Sequence, residues 1–226
     1  MKNLHKLLLT ILSVSLMMQY SSGAIADTKL MDAEKPNSSS NFLPDYSLLK
    51  PVTGPEGTKA YRYTRFDFDP LAYSAVMLDP VAINQQTKDD KLTPDVITST
   101  QQALNASIQD RIGASKMKIA HEPGAGVLRV SVSISGAEVE TEGFKPRNIL
   151  PISAVIKLAS KAAGKDSKKA VLLVESKIVD SVTGQLMRAG MITIASDSFR
   201  DEGATAVEFK KLAEKIVDIA MKNSNL

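Results

Sequence analysis

The sequence predicts an α+β fold, a single mostly antiparallel sheet of about five strands with two helices packed on one face. Three observations predict it. Between Gly126 and Ala137, Leu128, Val130, Val132 and Ile134 alternate with Arg129, Ser131, Ser133 and Ser135. A strand turns successive side chains to opposite faces, so this run has one apolar and one polar face. Two stretches, one opening at Thr93 and one at Thr205, repeat their apolar residues at helical spacing and so need a surface to cover. Finally, two β-rich runs flank Ser181-Val182-Thr183-Gly184, a hairpin connection with glycine where a positive φ is expected.

Composition narrows the function classes. The 226 residues are 43% hydrophobic and 23% charged, a globular balance suited to one main domain. Lys2 and Lys6 lie in a first segment that has no acid, which leaves 26 basic against 25 acidic residues in the remainder. A body so close to neutral argues against nucleic-acid binding, because neutralising phosphates needs a clear basic excess. The sequence has no cysteine, which excludes disulfides, thiolate metal sites and cysteine nucleophiles. Its two histidines are His5 and His121, so imidazole chemistry in the body reduces to His121.

Residues 1–26 have the form of a cleavable signal peptide. A basic start precedes the apolar run Leu7–Met18, which is too short to be a good bilayer span, and Ala24-Ile25-Ala26 supplies the small-x-small pattern of a cleavage site. Cleavage after Ala26 starts the mature chain at Asp27. Residues 27–41, with Pro36 and a serine run, read as a flexible polar leader, and residues 42–226 as one α+β domain.

Phe42, Tyr46, Tyr61, Tyr63, Phe66, Phe68 and Tyr73 crowd the start of that domain among Pro44, Pro51, Pro55 and Pro70. The prolines speak against long regular structure before Leu71, so the stretch reads as a strap packing its rings over the sheet. A stacking platform for sugars or peptide is the functional alternative. Ser74–Ile83 follows as a short strand that Pro80 confines to an edge or bulge. The segments FLPDYSLLKP at 42–51, Tyr73–Ile83 with its DPV, GAGVLRVSVSISGAE at 124–138 and the Asp180-x-x-Thr183-Gly184 turn resemble a bacterial family of envelope lipoproteins known only as a domain of unknown function. The resemblance runs from Asn41 to Ala195 and implies envelope residence but no activity. This sequence departs from it in lacking the cysteine on which such proteins are lipidated.

Thr93 as cap, Pro94 at the first helical position and Asp95 in the first turn open a helix, which Ile97, Leu104, Ile108 and Ile112 face inward and Gly113 closes. Strands are expected at Lys116–Ala120, at Gly126–Ala137 with a bulge near Gly136, at Lys169–Asp180 and at Gln185–Ala195. Thr205-x-x-Glu208 reads as the capping box of a last helix with Phe209, Leu212, Ala213, Ile216 and Ala220 inward. This element order is similar in outline to the N-terminal domain of TolB. Between the strands, residues 149–165 form an insertion that, if helical, places Lys157, Lys161 and Lys165 on one face. Such a basic amphipathic helix suits an anionic membrane surface, or simply solvates a helix lying on the sheet or on a neighbouring subunit.

No complete catalytic set emerges. Ser47-x-x-Lys50 begins a penicillin-recognising pattern, but there is no Lys-Thr-Gly, and Ser196-Asp197-Ser198 lacks the asparagine. Gly164-Lys165 is followed by Asp166, and Ala159 stands where a phosphate loop needs its first glycine. Asp67 and Asp69, or Glu138, Glu140 and Glu142, fall short of calcium-loop spacing. The expectation is a non-enzymatic binding or scaffolding module, exported to the periplasm, with no cofactor or metal. Its partner is another envelope protein or a second copy, met through Arg129, Ser131 and Ser133 on an open sheet face or through Lys157, Lys161 and Lys165. The alternatives are a carrier of a small amphipathic or lipid ligand held between strap and sheet and, further off, a hydrolase assembled in space from Asp67, Asp69, Asp79 or His121.

Overall fold

The computed structural model describes residues 40–55, 57–84, 92–141, 167–201 and 203–222. In chain order the elements are β1 (Lys50–Val52), β2 (Thr58–Thr64), β3 (Ala75–Leu78), β4 (Ala82–Ile83), α1 (Pro94–Gly113), β5 (Lys118–Ile119), β6 (Val127–Thr141), β7 (Lys168–Asp180), β8 (Leu186–Ala195) and α2 (Ala204–Lys222). Short 3-10 turns occupy Tyr46–Leu48 and Pro70–Ala72.

The α+β class holds, but the sheet is larger than expected and mixed. Among the described residues it has eight strands, which run β1-β2-β8-β7-β6-β3-β5, with β4 alongside β6. The ladders from β1 to β6 are antiparallel, whereas β3–β5, β3–β6 and β4–β6 are parallel. The parallel part follows from the chain path. β3 reaches β6 only after the chain has passed through α1, and a strand–helix–strand crossover brings the second strand back parallel to the first.

β6 and β7 form the long central pair, with Leu128 opposite Asp180 at one end and Thr141 opposite Lys168 at the other. The register slips between Ile134 and Gly136, so Ser135 is the extra residue. This is the expected bulge, and it explains the change of parity: Val132, Ile134, Ala137 and Val139 all join the same core cluster. That cluster packs part of the layer between the sheet and the two helices, bringing together Leu104 of α1, Phe209 of α2, Leu172 and Ile194. Thr93 caps α1, its side chain accepting from the Val96 amide.

Two local expectations need correction. The stretch 42–73 is a strap only in its first part, for it also contains β1 and β2, and β2 pairs along its full length with β8. Phe66 and Leu71 are 96% and 92% exposed and so cover nothing. At the far end of the chain, α2 starts at Ala204, which puts Thr205 inside the first turn rather than at the cap.

The β7–β8 hairpin is closed by Asp180. Its Oδ1 accepts from the Val182 amide (3.1 Å), the Thr183 amide (2.8 Å) and the Thr183 hydroxyl (2.9 Å), while Tyr73 donates to Oδ2 at 3.2 Å. Gly184 completes the turn at φ +70°, where a Cβ would be strained. The Thr183 amide above all, with the Thr183 hydroxyl, Tyr73 and the Val182 amide, holds the Asp180 carboxyl below its ordinary value. A depressed carboxyl contributes stability above its unfolded pKa of about 4 and loses it as pH falls through the folded value. Parent and Asp180→Asn melting temperatures should therefore differ most near neutral pH and converge as the pH drops below about 4. Thermal melts across that range check it; a gap that stays constant would overturn it.

Candidate functional site

The polar face of β6 is not open. Arg129 is exposed, but its Nε lies 3.0 Å from both carboxylate oxygens of Asp79, which follows β3, and Ser131 donates to Asp79 at 2.6 Å. Ser133 is fully buried and Ser135 nearly so. The expected contact row is thus divided: Arg129 and Ser131 are engaged within the fold, and Ser133 lies too deep to touch a partner. The cover comes from the segment 40–49, which lies on this face. Leu43, Leu49 and Tyr46 pack there on Tyr61, Leu173 and Met191. Lys177 donates to the Phe42 carbonyl at 3.2 Å and stacks over its ring at 4.6 Å.

Beneath the strap lies Glu175, directly opposite Ser133 in the β6–β7 ladder and fully buried. The hydroxyls of Ser40 and Ser135 both donate to its Oε2. The Ser133 hydroxyl and Glu175 Oε1 are buried with no hydrogen-bond partner among the described residues. Asn84 adds a bond to the Ser40 carbonyl at 2.6 Å, so the start of the strap is fixed from two sides. Sequence reasoning missed Glu175. The signal was there, a lone acid inside the apolar run Ala170–Val174 and Ile178, at a parity that must face the serine row.

The residues considered for hydrolysis serve local roles. Asp67 pairs with Arg65, which holds its carboxyl below the ordinary range, and Asp69 caps the turn at the Leu71 amide at 2.9 Å. Asp79 belongs to Arg129 and Ser131, and His121 sits exposed in a bend. Among the described residues no three acids or histidines gather at metal-binding distance. Ala24, Ala26 and Asp27, the leader up to residue 39, and Lys157, Lys161 and Lys165 of the insertion lie outside the described residues, while Ser40, expected as the flexible end of the leader, is buried and bonded to Glu175 and Asn84.

An opening among the described residues lies on the other face of the sheet. A groove of about 570 Å³ runs between the sheet and the helices. Val130, Val174 and Ile192 form its floor, and Ile108 of α1 and Ile216 of α2 its walls. Toward β2 it is bordered by Arg62 and Arg188. Gly190, opposite Arg62, keeps the floor low, since a Cβ there would meet the Ser176 hydroxyl at 3.1 Å. The volume lies in the ordinary range for small-molecule sites, and the lining is apolar with a few polar groups, as such sites require. The expected ligand space between strap and sheet is instead filled by the strap's own side chains.

Residues 38–220, which include the strap, the whole sheet and most of α2, match the family described as protein of unknown function (DUF3313). The chain belongs to that family. Within reach of this DUF3313 protein is the uncharacterized lipoprotein YdcL of Escherichia coli K12, 21% identical over 187 residues that make up 82% of this chain and 83% of YdcL. Among solved structures, a DUF4136 family protein from Bacteroides thetaiotaomicron is 13% identical with a TM-score of 0.40, covering 74% of this chain and 96% of that one. The PelC dodecamer from Paraburkholderia phytofirmans gives 12% identity and a TM-score of 0.37, covering 70% and 96%. No helix among the described residues is long and apolar enough to cross a membrane.

Proposed function

We propose that this DUF3313 protein is a non-enzymatic, envelope-associated binding module that takes the apolar part of a small amphipathic molecule into the groove between its sheet and its helices. One observation carries the reading: about 570 Å³ of apolar space lies in the interior layer where a folded domain otherwise packs densely. The relation to a lipoprotein supports residence at the envelope, where amphipathic molecules are abundant. The acids that catalysis would need are spent on turns and ion pairs, which favours binding over hydrolysis.

If the groove receives a chain, affinity tracks its length. Each buried methylene contributes about 0.8 kcal/mol, so shortening a saturated ligand by two carbons should weaken binding roughly 15-fold. Displacement of a neutral fluorescent naphthylamine probe by straight-chain alcohols of increasing length measures this, with Ser176→Phe as the variant that fills the groove. Length-independent displacement, unchanged by Ser176→Phe, would exclude the groove as the binding site.

A further inference from the structure

Beside the groove lies a smaller space of different character. It measures about 260 Å³, sits between α1 and the segment that follows β3, and shares Ile108, Val130 and Val132 with the groove as lining. Its polar lining residues are Asp79, Asn105 and Gln109. The two amides belong to a stripe along α1, where Gln101, Asn105 and Gln109 recur every four residues. Gln101 and Asn105 hold the chain after β3: Gln101 donates to the Val81 carbonyl at 2.5 Å, and the Val81 amide donates to Asn105 Oδ1 at 3.1 Å. The second bond fixes the Asn105 amide with its oxygen toward Val81, so its NH2 is the end left over. Neither that NH2 nor the Gln109 amide has a hydrogen-bond partner among the described residues. Asp79 adds acceptors without net charge. Its carboxylate is paired with Arg129 at 3.0 Å and accepts from Ser131 at 2.6 Å, yet two carboxylate oxygens have room for about four donors.

Resting on the binding reading above, we infer that this annex takes the head of the amphiphile and that the head is a small neutral polyol of the glycerol class, its chain lying in the groove beyond Ile108 and Val130. A hydroxyl both donates and accepts, so a polyol meets the amide NH2 of Asn105 and the carboxylate of Asp79 together. With Arg129 already balancing Asp79, a charged head of either sign would enter this space unpaired. An ammonium head would also leave the Asn105 NH2 without an acceptor.

The test sets ligands of equal chain length against the same neutral probe: dodecylglycerol, dodecanol, dodecanoate and dodecyltrimethylammonium. Two added neutral hydrogen bonds should let dodecylglycerol displace the probe at roughly 5- to 100-fold lower concentration than dodecanol, with both charged ligands trailing it. Asn105→Asp keeps an acceptor for the Val81 amide while removing the NH2, and Gln109→Leu changes an exposed position of α1. Each should narrow the advantage of dodecylglycerol, and the two together should bring it to within about threefold of dodecanol. A disturbed groove would move both ligands, so the ratio between them on the same variant reports the head site alone. Gln109 is exposed, so its single variant gives the answer even where Asn105→Asp does not fold. Equal displacement by dodecylglycerol and dodecanol, a ratio that neither variant changes, or tighter binding of a charged ligand overturns the polyol head while the groove itself stands. Failure of every ligand, with Ser176→Phe indistinguishable from the parent, removes the groove as well.

Discussion

Phe209→Ala is expected to destabilise the domain by about 3–5 kcal/mol, the range for emptying a fully buried aromatic position. Phe209 is 0% exposed and lies in the cluster that joins Ile134, Ala137 and Val139 of β6 to Leu172 of β7 and Ile194 of β8. Much of that cluster belongs to the central strands, which have little freedom to collapse into the space left behind. The loss also unseats α2, whose Ile216 and Ile219 line the groove, so ligand uptake should fall with stability. Urea unfolding followed by far-ultraviolet circular dichroism measures the first effect and probe binding the second. A loss below about 1 kcal/mol would mean that α2 is not anchored by this ring.

The second large effect concerns Glu175. Removing it as Glu175→Ala leaves the Ser135 hydroxyl buried without its acceptor, at about 1–3 kcal/mol, and takes one partner from Ser40, which keeps Tyr46, so a loss of roughly 1–4 kcal/mol is expected. Glu175→Gln should behave differently. Its amide keeps an oxygen for the two serine donors and places an NH2 where the Ser133 hydroxyl stands unpartnered, so its stability should lie within about 1 kcal/mol of the parent or above it. Limited proteolysis near residues 40–49 distinguishes a released strap from a general loss of stability. An alanine variant that melts with the parent and resists cleavage would show that the strap is held by its apolar contacts alone.

The sequence made the middle of the fold plain. In β6 the alternation Leu128 to Ile134 is unbroken, the bulge beside Gly136 is visible as a change of parity, and Thr93-Pro94 marks the start of α1. β2 stayed hidden because its apolar tyrosines, Tyr61 and Tyr63, face the strap, while Arg62 faces the groove on the helix side. With prolines on both sides, such a run does not announce a core-facing strand. The parallel ladders were out of reach for another reason: β3 finds β6 through a crossover, and no local residue records that pairing. The serine row misled because alternation reports polarity and says nothing of what covers it. Ser133 and Ser135 are polar and buried because Ser40 and the strap, nearly a hundred positions away, close over them. The groove is likewise a property of spacing between layers, which single residues do not encode.

The bond from Ser40 to Glu175 has a mechanical side. Glu175 lies midway along a central strand, on the face opposite Val174 and Ser176. A pull on the chain at residue 40 is therefore delivered to the middle of the sheet rather than to a frayed edge, and it acts on the face away from the groove. Load entering at residue 40 therefore does not have to pass through α1 and α2, the helices that form the walls of the groove.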